Sequence, residues 1–425
     1  MPKELPPIIR SLGNRNYSLF FASLCVSQVG LWMQRVAMGW LVYRLTDSTR
    51  ALGIIDFMGA IPTVVLIPLS GYLLPKFDQR AVLLVTQALL MASAALVGAL
   101  TLTGYVSYAW LVLIALTMGV INAFDSPVRQ SFVVKLVDRK EDVSNALALN
   151  SSVFNAARLI GPSLAGIVIG RVGEGVCFLL NAVSYLATIF AVKAIKVAAT
   201  PEKPAAGKRE GLLKRLRLLR DFPPFAYTLM LVSMAGVFGV PYLALMPAMA
   251  RTVLGGTSRT MGLLLMAVGA GALIGSLLMA ARKSPVGLDR WAIRCCLAFG
   301  ASVSVFALSR SVWMAMLLGA PVGFFMVTAL IACNTFLQTM VDDDHRSLLM
   351  SLYVAAITGI APFGSIIVGQ LAEMIGTSGA LCVSGLVCVV TSLHYARKLD
   401  QCRTLILRNL RALGFPLKDG AKWEK

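Results

Sequence analysis

The stretch RLIGPSLAGIVIG, Arg158 to Gly170, decides how the chain is read. After its first residue it is wholly apolar or small, and it lies inside a longer span able to cross a bilayer. Its small residues, Gly161, Gly166 and Gly170 with Pro162, permit close helix packing and bending. The same pattern returns with an offset near 200 residues as IAPFGS, Ile360 to Ser365. Two further matches share that offset: Val137-Asp138 with Val341-Asp342, and Gly71 before one basic turn with Gly275 before Ala281-Arg282-Lys283. A structural unit has therefore been copied once along the chain.

Composition says what kind of unit it is. Hydrophobic residues make up 57% of the 425 positions and charged residues only 14%, where a soluble domain carries about 25% charge. Mean hydropathy is +0.77. Stretches of about 20 apolar residues, enough to span hydrocarbon as a helix, recur six times between 17 and 196 and six times between 224 and 399. The expected fold is an all-α membrane protein of twelve transmembrane helices in two six-helix repeats. Two such halves rocking about a midplane cavity give alternating access. The expected division is 1–196 for the first bundle, 197–223 for a cytoplasmic linker, 224–399 for the second bundle and 400–425 for a basic cytoplasmic tail.

The formal charge of +19 raises the question of nucleic acid, and its distribution answers it. With the N-terminus in the cytoplasm, cytoplasmic segments hold 31 Lys and Arg and the opposite side six, Arg44, Arg50, Arg171, Arg251, Arg259 and Arg310. That is the positive-inside asymmetry of a multi-pass protein with both termini cytoplasmic. The segment before the first helix is polar and contains proline, so no cleavable signal peptide is expected. Within the linker, Leu212, Leu213, Leu216 and Leu219 fall at helical spacing with Lys214, Arg215, Arg217 and Arg220 elsewhere, which predicts a short interfacial helix.

Several chemistries find no support. The eight cysteines sit mostly in apolar spans without a CxxC and read as small packing residues, not as a metal site. Two histidines, His345 and His394, exclude HExxH, and there is no GxxxxGK[ST] loop. Gly269 to Gly275 lies mid-span, where small residues serve helix packing. No cofactor is called for and no enzyme activity is expected.

Ionisable residues deep in spans are the functional candidates, because a charge in hydrocarbon must be paired or hydrated. Helix one aligns Gln28, Trp32 and Arg35 on one face, and helix two places Asp56 where it can pair with Arg35. Helix five aligns Ser151, Asn155, Arg158 and Pro162. Asn122 and Asp125 lie three apart where helix four is expected to end, before Ser126-Pro127. Read functionally, Gln28, Trp32, Arg35, Asn122, Asn155 and Arg158 line a substrate cavity, and Asp56 and Asp125 relay protons. Read structurally, the same charges are buried pairs that hold helices in register, and Glu373 is an interfacial residue at the outer end of helix eleven.

Together these stretches resemble the major facilitator superfamily, and within it bacterial exporters such as drug and macrolide antiporters and an enterobactin exporter. The segments that carry the resemblance are NRNYSLFF (Asn14–Phe21), WMQRVAMGWLVY (Trp32–Tyr43), NAFDSPVRQ (Asn122–Gln130), NALALN (Asn145–Asn150), PYLALMP (Pro241–Pro247) and MSLY (Met350–Tyr353). Gly161, Pro162, Gly166 and Gly170 are similar to the superfamily's antiporter motif, which implies export against an inward ion, H+ in most members. The sequence departs from the superfamily at the loop GYLLPKFDQR. Laid on Gly71, the superfamily's loop aspartate falls on Pro75, its arginine on Lys76, its second glycine on Asp78, and its basic pair on Gln79 and Arg80. An arginine of helix four is replaced by Ala115, and Arg-Gly-Arg before helix eleven reads Arg346-Ser347-Leu348. In the superfamily that aspartate locks the cytoplasmic gate. Proline carries no charge, so the resemblance implies a gate held by other groups, Asp78 with Arg80 or with Arg346.

The resulting expectation is a monomeric, proton-coupled exporter of a small organic molecule, a siderophore-like metabolite or drug, in a bacterial cytoplasmic membrane. Arg35 and Arg158 favour an anionic or catecholate-like substrate. An uptake or metal-complex carrier, and a non-transporting assembly or sensor protein, stand as alternatives.

Overall fold

In the computed structural model the described residues are 7–137, 139–195, 219–220, 222–282, 284, 286–341 and 343–412. The expected linker helix, apart from Leu219 and Arg220, and the tail beyond 412 lie outside them.

Polar side chains start the first three helices. Asn14 accepts from the backbone N–H groups of Asn16 (2.9 Å) and Tyr17 (3.2 Å) and opens α1, Arg15–Thr46. Ser48 accepts from Ala51 N–H (3.3 Å) at the head of α2, Thr49–Leu73. Asp78 accepts from Arg80 and Ala81 N–H at the head of α3, Gln79–Leu102. Such caps occupy donors that a helix cannot satisfy itself. The first half continues with α4 (Tyr108–Lys135), α5 (Lys140–Val172) and α6 (Glu174–Ala194). The second half holds α7 (Pro223–Met234), α8 (Ser258–Ala281), α9 (Leu288–Ala307), α10 (Val312–Met340), α11 (Asp343–Val354) and α12 (Ala361–Ala412). Among the described residues ten helices are long and apolar enough to cross a membrane. The 32-residue α1 is outside that set, its apolar character diluted by Gln28, Gln34 and Arg35. The long α12 is broken at Gly376 (φ 80°), between the last two spans expected from sequence.

Two elements differ from the sequence reading. Helix α4 does not stop near Ser126-Pro127 but runs to Lys135 with Pro127 inside it. Val128, Phe132 and Val133 beyond the proline pack into a core with Tyr17 and Phe20, which rewards continuing the helix past one missing backbone donor. The seventh span, expected as one helix over 224–252, is segmented. After α7 come a π-turn at Ala235–Gly239, a 3₁₀ turn at Val240–Leu243, one α-turn at Met246–Ala248 and a second π-turn at Met249–Val253. Gly236, Gly239, Pro241 and Pro247 concentrate there and supply the reason.

Packing repeats between the halves. Helix α2 lies on α4 as α8 lies on α10, α3 on α6 as α9 on α12, and α3 on α4 as α9 on α10. The halves meet along two seams, α2 against α12 and α5 against α8. Both seams rest on close backbone approach. A Cβ at Gly53 would stand 2.2 Å from the Ser365 carbonyl, and one at Gly262 would stand 2.7 Å from the Pro162 carbonyl and 3.1 Å from Gly166 Cα.

The contacts across the seams involve residues 39–64, 158–170, 247–269 and 356–373, toward the end of the bundle that carries the turns at Asp47, Gly173, Gly255 and Gly376. On that turn face one apolar cluster runs through both halves, from Leu41 and Tyr43 to Tyr242, Met246 and Leu264. Toward the other end, where Ile195 and Phe222 border the linker, the core divides. One cluster gathers around Tyr17, Phe20 and Phe132, the other around Phe225, Phe336 and Leu337. The halves are thus joined at the turn face and part toward the linker face.

At the linker face α1 is tied to the start of α5. Tyr17 is fully buried, with its hydroxyl 2.9 Å from the Ala146 carbonyl and 3.2 Å from Asn150 Oδ1. Ser11 N–H donates to Asn145 Oδ1 (3.0 Å), and Arg10 pairs with Asp142. We expect Tyr17→Phe, which leaves buried acceptors without their donor, to cost about 1–2 kcal/mol. A lowered thermal unfolding midpoint of the detergent-purified protein reports it, and an unchanged midpoint denies the tie any weight.

Candidate functional site

Three cavity residues expected from sequence form one cluster. Trp32 on α1 carries the guanidinium of Arg35 5.1 Å from its ring centroid and that of Arg158, from α5, at 5.8 Å. Phe154 meets the same indole edge-on at 5.7 Å. Helix α5 reaches α1 this closely because position 161 is glycine, where a Cβ would stand 2.5 Å from Trp32 Cβ. The second half contributes the Tyr242 hydroxyl, which Arg158 approaches. Among the described residues no carboxylate lies within ion-pair distance of Arg35 or Arg158. Gln28 Oε1 and Trp32 Nε1 are buried without a partner. Arg35 is exposed although its neighbours Met33, Gln34, Val36 and Ala37 are buried, so its side chain emerges where the halves part. Asn155 lies one turn before Arg158, its amide donating to the Ser151 carbonyl (3.0 Å). Asn122 is half-buried on α4 and does not join the cluster.

The two aspartates have different surroundings. Asp56 does not form the ion pair with Arg35 that sequence spacing allowed, although each is within electrostatic reach of the other. It is exposed, and it accepts a hydrogen bond from Ser365 of α12 across the seam. Asp125 is not a helix-end cap, since α4 continues past it. It is 1% exposed, pairs with Arg129 one turn on, and accepts from Thr86 (2.8 Å) and Gln87 (2.7 Å) of α3. Beside it Asn181 of α6 donates to Gln34 of α1, and the Ser184 hydroxyl donates to the Asn181 carbonyl (2.7 Å). The first half therefore has a polar interior that sequence reading missed in part. The four-residue step from Asp125 to Arg129 was a visible signal, whereas nothing local marks Gln34 and Asn181 as partners.

Two of the motif glycines, Gly166 and Gly170, lie on the α5–α8 seam, whereas Gly161 packs on α1 within the first half. Gly166 faces Ser258 and Gly262 of α8, and Gly170 lies near the Ser258 hydroxyl. The turn face is closed further by a 2.5 Å hydrogen bond between the Tyr43 and Thr252 hydroxyls, with Arg251 over the Tyr43 ring at 5.9 Å. Glu373 is more than an interfacial residue, for its Oε2 accepts from Ser48, Thr49 and Arg50 at the head of α2.

On the linker face, the loop after α2 keeps its polar groups within the first half. Gly71 stands in open space and Pro75 sits in a 3₁₀ turn at Leu74–Lys76. Lys76 covers the Tyr72 ring at 4.2 Å. Asp78 caps α3, and Arg80 donates to the carbonyls of Val192 (3.1 Å) and Lys193 (2.6 Å), closing the end of α6. The gate contact expected of Asp78 with the Arg80 guanidinium is therefore not made in this conformation. Arg346 is exposed on α11.

A family model described as transmembrane secretion effector matches residues 11–410. Similar curated proteins include the Staphyloferrin A transporter of Staphylococcus aureus, 21% identical and covering 89% of this chain and 96% of that one. Another is the multidrug efflux pump Tap of Mycolicibacterium fortuitum, 23% identical over 84% of this chain and 89% of its own. Among solved structures, a bacterial homologue of the human lysosomal transporter Spinster, inward-facing and unoccupied, superimposes with a TM-score of 0.66 at 13% identity over 93% of this chain and 97% of its own. The nucleoside transporter NupG gives 0.65 at 13% identity over 90% and 98%.

The Asp125 site yields a stability prediction. Arg129→Met leaves a buried carboxylate without its cation and is expected to destabilise by about 3–5 kcal/mol, while the double variant Asp125→Asn/Arg129→Met recovers most of that loss. Thermal unfolding of the four proteins of the cycle measures it, and equal losses in the single and double variants would refute the pairing.

Proposed function

Because this chain belongs to the transmembrane secretion effector family of the major facilitator superfamily, we propose that it exports a small organic molecule by alternating access, coupled to inward movement of H+. The family makes it a secondary transporter, a multi-pass protein of the bacterial inner membrane and not an enzyme. The finer reading has twelve spans, counting α1 and dividing α12 at Gly376, with both termini cytoplasmic as the Lys and Arg distribution requires. It divides the chain into bundles 1–196 and 224–399, a linker 197–223 and a tail 400–425. The linker face is then cytoplasmic, and the conformation described here is open to the cytoplasm.

The observation that carries the proposal is the pair Arg35 and Arg158 on Trp32. A guanidinium at the centre of a membrane helix costs about 2.5–3.5 kcal/mol on insertion scales and more by other estimates. Cation–π contact returns about 0.5–2 kcal/mol. Packing alone therefore does not account for two such residues without carboxylate partners at contact distance, and a ligand that bears acceptor oxygens does. We assign the substrate its place here, with the Trp32 and Phe154 rings beside its apolar part. A siderophore-like metabolite or an oxygen-rich drug has this character.

Asp56 is the better coupling residue of the two aspartates. It is accessible and its one hydrogen bond crosses the seam, so a proton on it alters both the charge near Arg35 and the contact to Ser365. Asp125 is held by Arg129, and protonating it would leave a buried cation alone. A second reading, uptake, is favoured by the nearness of Asp56 to Arg35. An anion bound at Arg35 stabilises the protonated form of Asp56, and by linkage the proton stabilises the bound anion, which is the behaviour of a symporter. A cationic substrate, or a neutral one that donates hydrogen bonds to the Asp56 carboxylate, stabilises its ionised form, competes with the proton and gives antiport.

Solute movement in inside-out vesicles under an imposed pH gradient, followed with citrate and with ethidium, decides between them. We expect gradient-driven accumulation inside such vesicles, lost in Asp56→Asn and in Arg158→Gln, and retained in Asp125→Asn at the temperatures where that variant stays folded. Gradient-driven loss from the vesicles supports uptake, and accumulation that survives Asp56→Asn removes this residue from coupling.

A further inference from the structure

The turn face is closed mostly by small and apolar contacts, and of three ionisable side chains that reach between the halves, Arg251, Asp56 and Glu373, the last makes the most hydrogen bonds. Glu373, near the break at Gly376 in α12, is exposed, yet one of its oxygens accepts four hydrogen bonds from the first half. The donors are the Ser48 hydroxyl (3.1 Å), Thr49 N–H (3.0 Å), the Thr49 hydroxyl (3.0 Å) and Arg50 N–H (3.3 Å). Those residues are the N-cap and first turn of α2. Ser48 already fills the Ala51 N–H with its own side chain, whereas the N–H groups of Thr49 and Arg50 have no acceptor inside the helix. The positive end of the α2 dipole lies at the same point. The Thr49 hydroxyl is also 3.1 Å from the Gly369 carbonyl, and a Cβ at Gly369 would stand 2.8 Å from the Thr49 carbonyl. A carboxylate of the second half therefore completes a helix of the first, across a seam that must separate if the turn face is to open.

A second carboxylate on the same face shows the contrast. Glu174 receives two hydrogen bonds from Arg44 (2.8 and 3.3 Å), but both residues belong to the first half, and that pair moves with it as one body. On the linker face, Asp78 caps α3 of its own half. Among these three, only the Glu373 contact is broken by rocking of the halves.

We propose that Glu373 is the latch of the outer gate. It holds the turn face shut in the conformation described, it is released when the halves rock, and its strength sets how often the outward-facing state is visited. This rests on the reading that the halves alternate. A charge at an exposed helix N-terminus shifts an equilibrium about two- to fivefold, and up to about thirtyfold where water is excluded. The latch is thus weak enough to open in every cycle and strong enough to bias the resting state.

The test places nitroxide labels at Leu45→Cys and Leu308→Cys, exposed turn-face positions of opposite halves, with the half-buried Cys25 and Cys382 replaced by serine. Distance distributions are recorded by electron–electron resonance on the full-length protein in nanodiscs. Gly53→Leu, a wedge in the α2–α12 seam, provides the opened reference. The wild type should show mainly the short distance. Glu373→Gln and Glu373→Ala should raise the long-distance population at least twofold, and Glu174→Gln should leave it unchanged. A long distance in Gly53→Leu with wild-type populations in both Glu373 variants would overturn the latch alone, as would an equal shift from Glu174→Gln. No second distance even in Gly53→Leu would overturn the rocking of the halves, and the latch with it.

Discussion

Hydrocarbon does not tolerate a charge without a partner or water, and the placement of a few charges governs this molecule. Asp125 meets the constraint with Arg129, Thr86 and Gln87 around it. Glu373 meets it at the head of α2. Arg35 and Arg158 meet it differently, against the face of Trp32 where the halves part. The first two arrangements spend their charge on contacts that hold helices together. The third leaves donors unspent, and the proposal that it receives a substrate rests on that difference.

The two halves share a packing pattern but not a chemistry. The mid-helix charges Arg35, Asp56, Asp125, Arg129 and Arg158 all lie in the first half. The second half answers with Tyr242 and Ser365 and with a segmented seventh span, where glycines and prolines break regular hydrogen bonding. One half thus holds the polar centre, and the other faces it with a largely apolar wall. Small residues on both seams bring backbones into contact at Gly53 and at Gly166 with Gly262 without interlocked side chains, as the proposed rocking of the halves requires.

Much of this was legible in the sequence. The motifs at Asn14–Phe21 and Asn145–Asn150 are separate signals in the sequence and two sides of one contact in the structure, Tyr17 on Ala146 and Asn150. Helical spacing placed Trp32 and Arg35 on one face, and both they and Arg158 came together. Spacing fixes the face of a helix but not what stands opposite it. For that reason the sequence suggested Arg35 for Asp56, whereas the structure supplies Ser365, more than 300 residues away. Glu373 looked like an interfacial carboxylate because its partners are backbone N–H groups, which no residue pattern records. Pro127 suggested a helix end, but the apolar residues after it had a core to join.

The central claim is a site on α5 that opens to the linker face and is shut at the turn face. Labelling of Asn155→Cys with a membrane-impermeant maleimide, in right-side-out and in inside-out vesicles, tests it most directly. Rapid labelling from the cytoplasmic side and slow labelling from the opposite side are predicted. Equal labelling from both sides, or none from the cytoplasmic side, would contradict it.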